Sequence, residues 1–187
     1  MSAAVCCLAV FSKPCFATEF MSLKEAIKNF LPEGSSPYKV SKTIPDDKYE
    51  ALKKRYHLKD TSEFKDTLKK GPYTVFVAKD AGKKPTMYIM ILEQYWKTCY
   101  HKFAVGVTPD GTVKDIVVVE LNCKFAYPIN KKSFLKQFKG KKAPAGKAVE
   151  IEVGKDVDAV SGATRSSELT AIIIRRALAL HEIFFSS

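Results

Sequence analysis

Four strand-like runs between Tyr73 and Leu121, followed by one long amphipathic segment, constrain the fold more than any other feature of this chain. Tyr73–Ala78 is rich in aromatic and β-branched residues, and Ala81-Gly82 with flanking lysines reads as a hairpin turn. Thr86–Leu92, His101–Val107 and Val113–Leu121 follow, the last two separated by Pro109-Asp110-Gly111. Runs of this kind punctuated by turn residues predict an antiparallel meander. From Leu169 onward, apolar residues recur at Leu169, Ile172, Ile173, Ala177, Leu180 and Ile183. Steps of three and four predict a helix with one apolar face, and Arg175, Arg176 and Glu182 fall mostly off it. Together these patterns predict an α+β fold, a mainly antiparallel sheet flanked by helices, with one helix at the C-terminus.

The remaining elements are shorter. Ser22-Leu23-Lys24-Glu25 is a capping box opening a helix that stops before Pro32. Tyr38–Thr43 reads as an extended strand. Asp46-Asp47 opens a second helix running to about Tyr56, with Tyr49, Leu52 and Tyr56 on one side. Thr61–Lys70 is ambiguous: Asp60-x-x-Glu63 favours a helix, which Gly71-Pro72 would end. Lys131–Phe138 reads as a short helix and Ala148–Val153 as a further strand.

Directly before the last helix stands Asp158-Ala159-Val160-Ser161-Gly162-Ala163-Thr164. The helix is expected to start between Thr164 and Ser167, where small hydroxyl residues favour capping. Its first turn carries unpaired amides and the positive end of the helix dipole. Gly162 allows positive φ or a close backbone approach, and Arg165, Ser166 and Ser167 add donors. Such a place holds an anion. An ordinary helix start preceded by a turn is the alternative for a bare S-G-A-T string.

The longer D-x-x-S-G-A-T string resembles the flavinylation motif of the FMN-binding domain family. That family includes flavin-bearing components of the sodium-translocating NADH:quinone reductase and of the Rnf electron-transport complex. The resemblance implies FMN bound covalently through its phosphate to Thr164. It implies recognition residues at Asp158, Ser161, Gly162 and Ala163, with Arg165 and Ser166 beside them. It also implies a flavin transferase that uses FAD and Mg²⁺. Phe103–Val113 is similar to the family's central hairpin, and Ser133–Gly140 is similar to its short helix ending in Q-F-x-G. The resemblance covers roughly residues 70 to 184. One segment departs: Asn122-Cys123-Lys124-Phe125-Ala126-Tyr127-Pro128 stands where the components of those two complexes carry an E-T-P-G-like turn. Tyr127 and Phe125 are therefore the candidates for stacking on the flavin ring, against a core-filling role for any single aromatic.

The chain has 187 residues, enough for one domain with a proper core. Its expected division is a leader at 1–17, a helical and extended segment at 18–69 packed on the domain, and an FMN-binding domain at 70–187. Ala3–Phe11 is a short apolar run, and Cys15-Phe16-Ala17 resembles a peptidase site. A signal peptide cleaved after Ala17 and a periplasmic or otherwise extracytoplasmic location are expected. No Lys or Arg precedes that run, and Met21 before a good helix offers an alternative, cytoplasmic start. No apolar run is long enough for a transmembrane helix.

Net charge is +11, with lysines spread along the chain. That field attracts acidic redox partners or an anionic membrane surface. Without one aromatic-studded basic segment, no nucleic-acid role is expected. Cys99 and Cys123 flank the Pro109-Asp110-Gly111 turn almost symmetrically. They are either a cross-strand disulfide or two unpaired thiols, since a one-residue slip in register would turn one away. No zinc or c-type haem spacing occurs. His57, His101 and His181 are too far apart in sequence to suggest a site, and His101 is expected at the surface or hydrogen-bonded. The function expected is a redox carrier domain rather than a stand-alone enzyme, with a cytochrome or a membrane quinone-reactive complex as partner. A non-redox binding or structural module with an anion site at the last helix start is the alternative.

Overall fold

The computed structural model describes residues 18–123 and 126–186. The expected leader, with Cys6, Cys7 and Cys15, lies outside the described residues, as do Lys124 and Phe125.

Strand β1 (Thr18–Glu19) is followed by helix α1 (Leu23–Lys28), β2 (Tyr38–Lys42) and α2 (Asp46–Arg55). Strands β3 (Tyr73–Lys79), β4 (Pro85–Trp96), β5 (Cys99–Val107) and β6 (Val113–Leu121) form the meander. A 3-10 turn (Tyr127–Asn130), α3 (Lys132–Lys136) and the long α4 (Thr164–Phe185) complete the chain. All six strands join one sheet in the order β1-β6-β5-β4-β3-β2, and every pairing is antiparallel. The α+β class is as the sequence predicts.

Alternation along the strands divides the interior into two layers. Val105, Phe103, Met90 and Val118 point to the face covered by α4, while Ala104, Ile89 and Val119 point to the face covered by α1. A Cβ on Gly106 would stand 2.4 Å from the Phe30 ring, so glycine is what lets α1's flank close on the sheet. The capping box of α1 forms as written: Ser22 accepts from the Glu25 amide, and Glu25 accepts from the Ser22 amide.

Several elements differ from expectation. β4 runs four residues further, to Trp96, because Glu93–Trp96 pair in register with Cys99–Lys102. Thr61–Lys70 is not a helix; the Thr61 hydroxyl accepts from the Glu63 and Phe64 amides and holds a local turn instead. Ala148–Val153 is not a strand of the sheet. It packs into the core through Val149 and Ile151, with the Val149 amide bonded to the Arg55 carbonyl and one isolated bridge between Val153 and Val157.

The largest departure concerns Arg176, expected off the apolar face of α4. It is 5% exposed. Its Nε donates to the Thr67 carbonyl at 2.5 Å, one terminal nitrogen donates to the Glu93 carbonyl at 2.7 Å, and the other donates to the Asp66 carbonyl at 3.1 Å and to the Gln94 side chain. At Arg176 the helix is covered on both sides, by β4 and by the segment at Asp66 and Thr67, so this side chain is enclosed.

Arg176→Ala would remove the guanidinium donors from the Asp66, Thr67 and Glu93 carbonyls and from the Gln94 side chain. We expect a loss of about 3–5 kcal/mol in unfolding free energy, measured by urea denaturation, with Arg176→Lys recovering only part of it.

Candidate functional site

Helix α4 begins at Thr164, inside the expected window, but its cap is not a hydroxyl side chain. Ala163 is the N-cap, with no side-chain cap hydrogen bond. Ser167 performs the local work one turn later. Its amide and its hydroxyl both donate to the Ala163 carbonyl, at 2.9 and 3.1 Å, and its hydroxyl oxygen accepts from the Val160 amide at 3.1 Å. The chain ahead of the helix is thereby folded back onto its first turn. Gly162 stands in the bend with φ +75°, a conformation that costs residues with a Cβ about 1–2 kcal/mol. No atom lies within 4 Å of where a Cβ on Gly162 would stand, so the space before the turn is open.

Upstream, Asp158 is held through its backbone. The Gln137 side chain accepts from the Asp158 amide at 2.8 Å and donates to the Asp158 carbonyl at 3.4 Å. Gln137 is the glutamine of the Q-F-x-G segment, and Phe138 beside it is fully buried. Two sequence segments that are far apart therefore meet through one amide side chain.

The seven residues and their neighbours sort into a buried back and an open front. Ala163, Ser166 and Ser167 are buried, whereas Asp158, Ser161, Gly162, Thr164 and Arg165 are exposed. Among the described residues, the Thr164 hydroxyl has no hydrogen-bond partner. The amides of Thr164, Arg165 and Ser166 precede the first bond of the helix and are free to meet an anion. Arg165 does not turn toward this opening. Its guanidinium grips both oxygens of Glu63 at 2.8 and 2.9 Å and one oxygen of Glu168 at 2.8 Å.

Tyr127 is 70% exposed, and its ring packs 5.8 Å from that of Phe20, centroid to centroid, rather than against the motif. Cys99 and Cys123 are not joined in a disulfide. Among the described residues, no group of three His, Cys, Asp or Glu side chains could hold a metal ion.

Residues 95–179 match the FMN-binding domain family. That span takes in β5, β6, α3, the Gln137 clamp, the whole motif and most of α4. The crystal structure of NqrC from Shewanella oneidensis has the same fold, with a TM-score of 0.54 at 21% identity, over 80% of this chain and 82% of that one. No curated protein matches the chain. The residues present fit a phosphate-anchored cofactor: an unpartnered hydroxyl, free amides at a helix start and an unobstructed glycine bend lie together on one exposed edge of the matched region. Thr164 would hold the phosphate, and the first-turn amides would share its charge.

His101, expected at the surface or hydrogen-bonded, is fully buried on β5, and neither ring nitrogen has a partner among the described residues. Burial pushes its pKa down to about 3. The sequence signal that locates it is register alone: it shares a strand face with Phe103 and pairs with Gln94 and Leu121.

An unfolded histidine titrates near pH 6.5. Between about 6.5 and 3 the unfolded chain therefore binds a proton that the folded one refuses, and stability falls as pH drops through that window. Urea midpoints measured from pH 7 down to 4 should fall less steeply in His101→Phe than in the parent.

Proposed function

We propose that this chain is an extracytoplasmic electron-transfer flavoprotein carrying FMN bound covalently, through its phosphate, to Thr164. The observation that carries this reading is the presentation of Thr164. Its hydroxyl is exposed and unpartnered at the start of α4, in a domain that matches the FMN-binding family over residues 95–179. When bound, FMN supplies the redox chemistry, accepting electrons singly or in pairs. The chain supplies attachment, orientation and tuning.

The chain's own residues divide that labour. Ser167 and Gln137 fix the backbone on either side of the Gly162 bend, so the acceptor hydroxyl is held on a rigid base. The free first-turn amides stabilise the negative charge that a phosphodiester keeps at neutral pH. No base stands within hydrogen-bond reach of the Thr164 hydroxyl among the described residues. An unactivated hydroxyl is a poor nucleophile, so an external flavin transferase using FAD and Mg²⁺ would make the bond. An acidic redox partner, such as a cytochrome or a membrane quinone-reactive complex, would be drawn by the positive field of the protein. No helix among the described residues is long and apolar enough to cross a membrane.

The extracytoplasmic location rests on the short apolar run and the Cys15-Phe16-Ala17 segment of the sequence. Thr18 and Glu19 pair with Leu121 and Glu120, and the Phe20 amide donates to the Val119 carbonyl at 2.9 Å. A start at Met21 would delete these pairs.

Co-expression with a flavin transferase should give a band that fluoresces after denaturing electrophoresis. Thr164→Ala should abolish the fluorescence while unfolding free energy stays within about 0.5 kcal/mol of the parent, as for other exposed sites. N-terminal sequencing of the native protein should begin at Thr18. A dark band from the parent chain would refute the covalent reading.

A further inference from the structure

Positive charge is concentrated in one stretch of the chain. Between Glu120 and Glu150 there are eight lysines and no acidic residue or arginine, so this stretch supplies eight of the eleven net positive charges. Within it, Lys132, Leu135, Lys136 and Lys139 recur at steps of three and four. That spacing puts them on one side of α3 and of the turn that continues it. This side is one wall of a groove of about 680 Å³. Met21 and Asn29, at the two ends of α1, belong to the other wall, and Ile116–Val118 of β6 lie between them. The groove exists because β1 is short. It pairs only with Leu121 and Glu120, which leaves the earlier part of β6 at the margin of the sheet, between α1 and α3.

The groove has an apolar base and a cationic rim. Met21 and Val117 are half-buried, so part of each side chain is open to a ligand. The carboxylate that lines the groove, Asp115, is already engaged: one of its oxygens accepts from the Ile116 amide and from Lys139, each at 2.7 Å. Among the described residues, the lysine-rich stretch makes two ion pairs, Lys139–Asp115 and Lys142–Asp110. Lys132 and Lys136 are exposed on the rim and have no carboxylate within ion-pair distance among the described residues. The rings of this segment, Phe134 and Phe138, are buried. α3 therefore presents lysines without the aromatic platform on which nucleic-acid bases stack.

We propose that this groove docks an acidic segment of a partner protein. One apolar side chain of the segment sits on Met21 and Val117, and carboxylates on either side of it meet Lys132 and Lys136. Shape favours a protein segment over a flat anionic membrane: a recess with an apolar base accepts a single projecting side chain, and the surrounding charges form the polar rim of such a contact. The lysines speed encounter and reject basic partners, while the apolar seat fixes register. α3 also carries Gln137, whose side chain clamps the Asp158 backbone ahead of the helix start. A partner on the lysine side therefore rests against the same short helix that holds the Asp158–Thr164 segment. The inference stands on charge and shape, and it holds whether or not Thr164 carries FMN.

The probe is a peptide blocked at both ends, Glu-Glu-Leu-Glu-Glu, titrated into the whole chain at low ionic strength and followed by the NMR amide shifts of Val117 and Leu135. Those shifts should saturate. Lys132→Glu combined with Lys136→Glu should weaken binding at least tenfold. Lys83→Glu combined with Lys84→Glu, an equal change of charge at the β3–β4 turn, should weaken it less than threefold. All four positions are exposed, so both double variants should keep the urea midpoint of the parent. Serine in place of the leucine of the peptide should also weaken binding at least threefold. Equal losses in the two double variants would leave only the general field of the protein and overturn the site. Undiminished binding of the serine peptide overturns it too, as does an absence of shifts at about 5 mM peptide, where even a millimolar complex is mostly formed. Capture of the lysine side by phosphatidylglycerol vesicles or duplex DNA in place of the peptide, or a dimer that the Lys132 and Lys136 changes dissolve, would name a different occupant, and each overturns the proposal.

Discussion

The Arg176 guanidinium is the contact on which the rest of this structure depends. A charge this deep is costly, and it is tolerated only when its donors are met. Here they are met by carbonyls from two separate segments, Asp66 and Thr67 on one side and Glu93 on the other, with Gln94 completing the set. The irregular 58–68 segment has few backbone bonds of its own. Arg176 supplies part of what a helix or strand would have supplied, and it does so from the middle of α4. The position of α4 over β4 and β5, the path of the 58–68 segment and the shape of the space between them are therefore one packing solution.

That solution fixes where the motif is presented. Near the C-terminal end of α4, His181 meets Tyr88 at the start of β4, with ring centroids 5.3 Å apart, and Arg176 sits at Glu93 and Gln94. The helix thus runs antiparallel to β4. Its first turn projects about 18 Å beyond Arg176 along the axis, past the end of the strand. The N-terminal turn is left at the rim of the molecule while most residues from Leu169 onward are buried. A rigid shaft with an open end suits a modification made by another protein: the acceptor needs exposure, and the base beneath it needs to be immobile. Ser167 and Gln137 meet the second requirement without using any atom of Thr164.

Much of this is legible in the sequence, for physical reasons that can be named. The meander is legible because alternation and turn residues act locally, and Ser22 with Glu25 because a capping box is complete within four residues. Thr164 is legible as a helix start beside a glycine bend. Arg176 is not, because periodicity assigns a charged residue to the wet side, whereas here both β4 and the segment at Asp66 and Thr67 close over it. The extension of β4 to Trp96 is hidden because Glu93 and Gln94 look like the end of an apolar run; what sustains them is pairing with β5 and, for Gln94, the Arg176 bond. Ala163 as N-cap is hidden because the capping work is done from Ser167, one turn inside the helix. Gln137 is visible only as part of a resembling segment, and its role requires the fold to bring residues 137 and 158 together.

The ion pairs around Arg165 bear on how the exposed end of α4 works. An arginine next to the acceptor is expected to meet the phosphate, yet Glu63 holds it bidentately and Glu168 holds it from one turn down. These groups are 30–45% exposed, so the pairs contribute little to stability. Their consequence is positional. The guanidinium is parked along the side of the helix, which leaves the Thr164 hydroxyl unobstructed. Exposed pairs exchange partners at little cost, so a phosphate arriving at Thr164 can draw Arg165 from Glu168 without disturbing the core. Under the covalent reading proposed above, the same residue would serve two states, held away from the hydroxyl before attachment and able to meet a diester charge after it.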